Sequence, residues 1–193
     1  MMMTMATAKT IVGCGTEIRT AFEQWLAVEC KVGVCLVVLE GYLGSGKTTL
    51  TEQPFSLEAG PSINIELDKY LPREVPETTP YIAAIDQAAL DLVIATAVAS
   101  STVTILEGAV AWPFVEAQAR ALGKQHVRRV YLKRMMRLKP DYWQDEDLLF
   151  DLEFPPPPTA FTRSIHRYHV EEQPWQSADL ILERTEDSNV EGS

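Results

Sequence analysis

The chain is short of cysteine, of long apolar runs and of positive charge, and each shortage closes off a class of protein. Its three cysteines, Cys14, Cys30 and Cys35, are odd in number and lack the C-x-x-C spacing of zinc and redox sites. Cys35 also falls inside an apolar run, so the thiols are expected to be reduced and structural. The longest apolar stretches, such as Leu92 to Val98, fall far below the ~18 residues that cross a bilayer, and no membrane partner is expected. Seventeen basic against twenty-seven acidic side chains give a net charge of −10, the wrong sign for a nucleic-acid or anionic-membrane surface. No internal repeat of about 20 to 50 residues is present, which removes solenoids and propellers. The opening Met1 to Lys9 has neither the basic start nor the long apolar segment of a secretion signal, so a cytoplasmic location is expected.

What the chain does have is Gly41-Tyr42-Leu43-Gly44-Ser45-Gly46-Lys47-Thr48-Thr49, a complete match to the phosphate-loop pattern G-x-x-x-x-G-K-[ST]. Glycines let successive main-chain N–H groups turn inward around a phosphate, where side chains would block the approach. Gly41, Leu43, Gly44, Ser45, Gly46, Lys47, Thr48 and Thr49 are therefore candidate contacts to a nucleoside triphosphate. Lys47 would reach the β- and γ-phosphates as a mobile charge, and the Thr48 hydroxyl would take a position on Mg²⁺. The context agrees with the motif. Val34 to Leu39 is a continuous apolar run, as in a buried parallel strand, and Thr48 to Glu52 can open a helix.

The remaining chain alternates strand and helix signals. At 193 residues it fits one domain, read as a flexible lead over 1–15, a domain over 16–184 and a loose tail over 185–193. Ile18, Phe22, Trp25 and Leu26 mark a helix capped by Thr16, and Pro54 shortens or kinks the helix after the phosphate loop. Ser62 to Asp68 reads as a second strand that places Asp68 at its end, either toward a ligand or as a turn residue. Thr79-Pro80 starts a helix whose stripe runs through Ile82, Ile85, Ala89, Leu92 and Val93 toward Ala99. Thr102 to Gly108 is a third strand ending in Glu107, either at the edge where ligands sit or as a surface carboxylate. Trp112 opens the next helix and either stacks on a planar substrate or belongs to the core.

Val127 to Leu132 makes a fourth strand, followed by a helical-looking basic segment with Lys133, Arg134, Arg137 and Lys139. That cluster would neutralise phosphate charge, or else form a solvated face. Asp141 to Glu153 and Pro155 to Pro158 read as an irregular connection, and Phe161 to His169 as a helix. His166 and His169 share a face, which is weak support for zinc without a third ligand. Ala178 to Glu183 is a fifth strand. The expected fold is therefore α/β, a P-loop NTPase-type three-layer α/β/α sandwich around a mainly parallel five-stranded sheet.

No D-x-x-G or N-K-x-D occurs, which removes a GTPase switch, and the chain leaves no room for the second domain of a mechanical ATPase. Over about Thr16 to Glu183 it resembles the uridine kinase-like branch of the P-loop small-molecule kinases, within the nucleoside monophosphate kinase-type P-loop NTPases. The resemblance rests on the phosphate loop, on Ile65-Glu66-Leu67-Asp68, on Val103 to Gly108 and on Ala178-Asp179-Leu180-Ile181. It implies that Asp68 accepts the proton of a substrate hydroxyl and that Glu107 holds magnesium or substrate. It also implies that a lid-like segment over about 133–158 brings Arg134 and Arg137 onto the phosphates. The expected activity is ATP-dependent phosphorylation of a small-molecule hydroxyl, with nucleosides among the candidate acceptors and Mg²⁺ as cofactor. Asp68, Lys47, Arg134 and Arg137 are the catalytic candidates, Asp68, Glu107 and Trp112 the substrate contacts, and Thr48 and Glu107 the metal ligands. A zeta-toxin or antibiotic-phosphotransferase type of kinase and a non-catalytic ATP-binding module are the alternatives. A homodimer stays open.

Overall fold

The computed structural model describes residues 8–31, 33, 35–58, 60–139, 142–145 and 159–185. At its centre lies β2 (Cys35–Glu40), every residue of which is buried. Its apolar run leaves no polar side chain to face water until Glu40, so the strand is covered on both faces, as parallel strands are. β6 (Val103–Gly108) pairs with it in parallel on one side and β7 (Val127–Lys139) on the other. β5 (Ile63–Glu66) extends the sheet beyond β6, and β9 (Leu180–Thr185) then β1 (Lys9–Gly13) extend it beyond β7. The order β1-β9-β7-β2-β6-β5 is parallel throughout, and β8 (Tyr142–Asp145) pairs antiparallel with the far end of β7.

Alternate residues of β2 sort into two cores, which is the period-two rule of a pleated strand. Leu36 and Val38 face one core, built on Leu90, Ile94 and Ala97 of α4 (Gln87–Ser100), on Phe114, Val115 and Ala119 of α5 (Trp112–Leu122) and on Ile165 of α6 (Ala160–Glu172). Cys35, Val37 and Leu39 face the other, filled by Ile18, Phe22, Trp25 and Leu26 of α1 (Gly15–Glu29) and by Leu50 of α2 (Lys47–Thr51). Helices thus cover both faces of the sheet. A small antiparallel pair, β3 (Ser56–Leu57) with β4 (Gly60–Pro61), closes the side near α2.

Several expectations need correction. The central sheet has six parallel strands where five were expected, because Lys9–Gly13, taken as part of a flexible lead, pairs along β9. The helix expected from Thr79 to Ala99 is two, α3 (Tyr81–Ala84) and α4, because the Asp86 carboxylate accepts from the Ala89 N–H and starts a new helix. The restart shifts the apolar stripe, leaving Leu92 70% exposed while Leu90 and Ile94 are buried. The basic segment after Leu132 is strand, not helix, since β7 runs on to Lys139 against β8. Of the expected lid-like segment 133–158, residues 140, 141 and 146–158 lie outside the described residues, as do the Pro155 to Pro158 run, 186–193 of the expected tail and 1–7 of the lead. Cys14, Cys30 and Cys35 carry no disulfide bond. Among the described residues no helix is long and apolar enough to cross a membrane.

Candidate functional site

Because the strands are parallel, their C-terminal ends gather at one edge, and the loop from Gly41 to Gly46 rises from the centre of that edge. Gly41 is forced by contact: a Cβ there would meet the Leu132 carbonyl oxygen at 2.5 Å and the Ser45 Oγ at 2.7 Å. Gly44 (φ +79°) and Gly46 (φ +95°) sit in the left-handed region that other side chains rarely adopt. α2 then begins at Lys47 and ends at Thr51, close to Pro54. The Lys47 ammonium donates to the Gly41 carbonyl (2.7 Å), the Tyr42 carbonyl (2.9 Å) and the Ser45 hydroxyl (3.3 Å), so its three donors hold the loop's own rim.

Facing this loop is a cleft of about 390 Å³ lined by Gly44, Gly46, Lys47 and Thr48 on one side and by Glu66, Asp68 and Glu107 on the other. Glu66 and Glu107 are direct register partners at the ends of β5 and β6. Asp68 lies in the 3-10 turn that follows β5, over Leu67–Tyr70. Its Oδ1 accepts a 2.6 Å hydrogen bond from the hydroxyl of Tyr81, which α3 buries beside it. Burial and the neighbouring Asp68 charge push the Tyr81 phenol far up, so it stays a donor. Glu107 is 3% exposed, and its Oε2 has no hydrogen-bond partner among the described residues. Burial pushes its carboxyl above the usual carboxylate range, the Thr48 hydroxyl and the Lys47 charge oppose this, and Glu66 and Asp68 reinforce it.

Two arginines complete the charge around the loop. Arg134 and Arg184 are register partners on β7 and β9. The Arg134 Nη1 comes 3.7 Å from where a Cβ on Gly44 would stand. The Arg184 guanidinium occupies the space beside Gly46 and donates to the Ser45 carbonyl at 3.4 Å. Sequence reasoning missed Arg184 because it ended the last strand at Glu183, two residues short; β9 runs to Thr185. Arg137 falls on β7, and its side chain lies outside the described residues.

Trp112 is not in this cleft. Its ring carries the Arg129 guanidinium 4.3 Å from the centroid, and it lines a separate cavity of about 640 Å³ with Glu116, Arg120, Lys124 and Asp179. Glu40, also unforeseen, accounts for that placement. The carboxylate, 2% exposed, accepts from the N–H groups of Ala111 and Trp112, from the Tyr168 hydroxyl at 2.7 Å and from Arg129 at 3.2 Å. The last residue of β2 is thereby tied to the start of α5 and to α6.

His169, fully buried, is a strut and not a ligand. Its Nε2 donates to the Ala109 carbonyl and its Nδ1 accepts from the Tyr131 hydroxyl, each at 2.8 Å. Burial pushes it down to about 3. Since this lies below the ordinary value near 6.5, the neutral ring's contribution is whole above about pH 6.5 and is lost as pH falls toward 3, at up to about 1.4 kcal/mol per pH unit. His169→Gln, whose amide can still donate and accept, is therefore expected to flatten the fall in unfolding free energy between pH 7 and pH 5 relative to wild type. Urea titrations at the two pH values would measure it, and parallel slopes would exclude His169 as the cause.

Among the described residues no group of three or more His, Cys, Asp or Glu could hold a metal alone. No protein-family model matches the chain, and no curated protein matches it either.

Proposed function

We propose that this chain binds a nucleoside triphosphate, ATP with Mg²⁺, on the Gly41 to Thr49 loop and transfers its γ-phosphoryl group to the hydroxyl of a small molecule. One observation carries the reading: Asp68, from the turn after β5, and Glu107, from the end of β6, open into the same cleft as Lys47 and Thr48. Phosphoryl transfer asks of a protein mainly position and charge, and both are supplied there. The loop amides, Lys47, Arg134 and Arg184 give a polyphosphate a positive seat. α2 is too short to add much from its dipole. On the opposite wall Asp68 keeps Oδ2 for the acceptor, because Oδ1 is taken by Tyr81. An acceptor hydroxyl hydrogen-bonded to Oδ2 loses its proton to that atom as its oxygen bonds to the γ-phosphorus and the bond to the leaving diphosphate oxygen breaks.

The residues present fit a magnesium ion that arrives with the nucleotide. A buried carboxylate oxygen without a partner beside the Thr48 hydroxyl is a donor set of the hard oxygen type, and phosphate oxygens and water would supply the other ligands. Thr48 and Glu107 would hold the ion, which when bound neutralises charge on the phosphate oxygens. Glu107→Gln is expected to raise the Mg²⁺ concentration for half-maximal activity by about tenfold or more, read from a magnesium titration at fixed ATP. An unchanged midpoint would remove Glu107 from metal binding.

Asp68 on the acceptor wall repels an anionic acceptor, with Glu66 paired to Lys69 at 2.8 Å and Glu107 assigned to the metal, so the reading favours uncharged or cationic hydroxyl compounds over nucleoside monophosphates. ADP release measured with neutral nucleosides, sugars, amino alcohols and nucleoside monophosphates tests this. Release that depends on an acceptor of the first three kinds is expected. ATP binding without any acceptor-dependent release would leave only a nucleotide-binding module. Tyr81→Phe removes the donor to Asp68 and is expected to lower kcat about fivefold while leaving the KM for ATP within twofold, since its hydroxyl contributes about 1 kcal/mol of positioning. A fall confined to KM for ATP would contradict that role.

A further inference from the structure

Cys30 and Cys35 are nucleophiles the cleft does not use. Cys30 caps the end of α1 and its N–H donates to the Leu26 carbonyl, while Cys35 opens β2 and its N–H donates to the Thr102 carbonyl. Both backbones are therefore pinned, and Gly33, at φ +76°, helps reverse the chain between them. The two sulfurs face each other at 2.7 Å, whereas a disulfide bond is about 2.05 Å, so closing it needs a shift of less than about 1 Å. Both side chains are buried, at 4% and 3% exposure, yet Cys30 forms part of the wall of a surface cleft of about 440 Å³ together with Lys31, Leu57 and Glu58. The cleft brings a small oxidant to the Cys30 side of the pair, where the Cys30 sulfur lies 2.7 Å from the Cys35 sulfur.

We propose that Cys30 and Cys35 form a covalent modification site, oxidised by a peroxide to an intramolecular disulfide that joins the end of α1 to the start of β2. The Cys30 S–H points at Cys35, and this hydrogen bond holds the Cys35 thiol below its ordinary range, with Arg128 assisting and burial opposing. Cys35 is thus the attacking sulfur. Its thiolate bonds to one peroxide oxygen, the O–O bond breaks, and the hydroxide released takes up the proton that Cys35 had given to solvent. Cys35 is then a sulfenic acid. The Cys30 sulfur next bonds to the Cys35 sulfur, the S–O bond breaks, and the oxygen leaves with the Cys30 proton as water. Two thiols and one hydrogen peroxide give one disulfide and two waters. Cys14, the third thiol, lies at the other end of α1 and takes no part.

The test uses the full chain as folded. The folded protein is exposed to hydrogen peroxide, the peroxide is removed, the chain is unfolded so that every remaining free thiol is trapped with a maleimide, and peptides are mapped by mass spectrometry with and without dithiothreitol. The expected product is a Cys30–Cys35 cross-linked peptide lighter by about 2 Da, reversed by the reductant, with Cys14 carrying the maleimide. In Cys14→Ser, which leaves both buried sulfurs in place, the trapped thiol count should fall from two to zero on oxidation. Two outcomes overturn the proposal: all three thiols still trapped after oxidation of the native protein, or Cys30 and Cys35 carried to sulfinic acid without a cross-link.

Discussion

Lys47→Met is expected to lower kcat/KM by about 10³-fold and to weaken ATP binding by at least tenfold, as measured by a coupled ADP assay and by calorimetry. The magnitude follows from where the ammonium sits. It bridges Gly41 and Tyr42 at the rim of the phosphate loop, so methionine keeps the length of the stem but removes the charge and leaves two carbonyls without that donor. Arg134 and Arg184 remain beside Gly44 and Gly46, yet a planar guanidinium held by β7 or β9 cannot take the position of a compact ammonium. For the same reason Lys47→Arg should recover little. A kcat/KM within threefold of wild type for Lys47→Met would mean that the cleft is not the seat of a triphosphate.

Asp68→Asn should separate binding from chemistry. Asparagine keeps the shape and an oxygen for the Tyr81 hydroxyl, but its amide cannot take up a proton, so turnover is expected to fall by about 10² or more while ATP affinity stays within a few-fold. Single-turnover measurements at saturating ATP would isolate the step. Wild-type turnover would remove Asp68 from the mechanism, and a parallel loss of ATP affinity would make it part of the nucleotide seat.

What could be read from the sequence was what local chemistry dictates. Gly41, Gly44, Gly46 and Lys47 lie within nine residues, and in the structure Gly41 has no room for a Cβ, Gly44 and Gly46 have positive φ, and Lys47 donates to the Gly41 and Tyr42 carbonyls. Asp68 and Glu107 were legible because an acid closing an apolar strand is costly without a reason, and parallel strands bring such ends to one edge. Glu40 satisfies the same description and was passed over. Its partners, Ala111, Trp112, Arg129 and Tyr168, come from three later segments, and no local pattern announces such a set. Tyr81 was hidden in the same way, since its hydroxyl matters only once α3 folds over the turn after β5. The basic segment after Leu132 misled because Lys133, Arg134, Arg137 and Lys139 suit a helix surface as well as an edge ladder, and pairing with β8 decided the matter.

The pairing of β1 with β9 has a consequence in time. Among the described residues β1 pairs with no other strand, so during synthesis it waits for a partner that emerges about 170 residues later, on the order of 10 to 30 s at translation speed. β9 brings Arg184 with it. A nascent chain can assemble β2, β5, β6 and β7 with the glycine-rich turn already shaped, yet that turn acquires its second guanidinium only when the outermost two strands close together. The positive charge around that turn is thus completed only after most of the interior is in place.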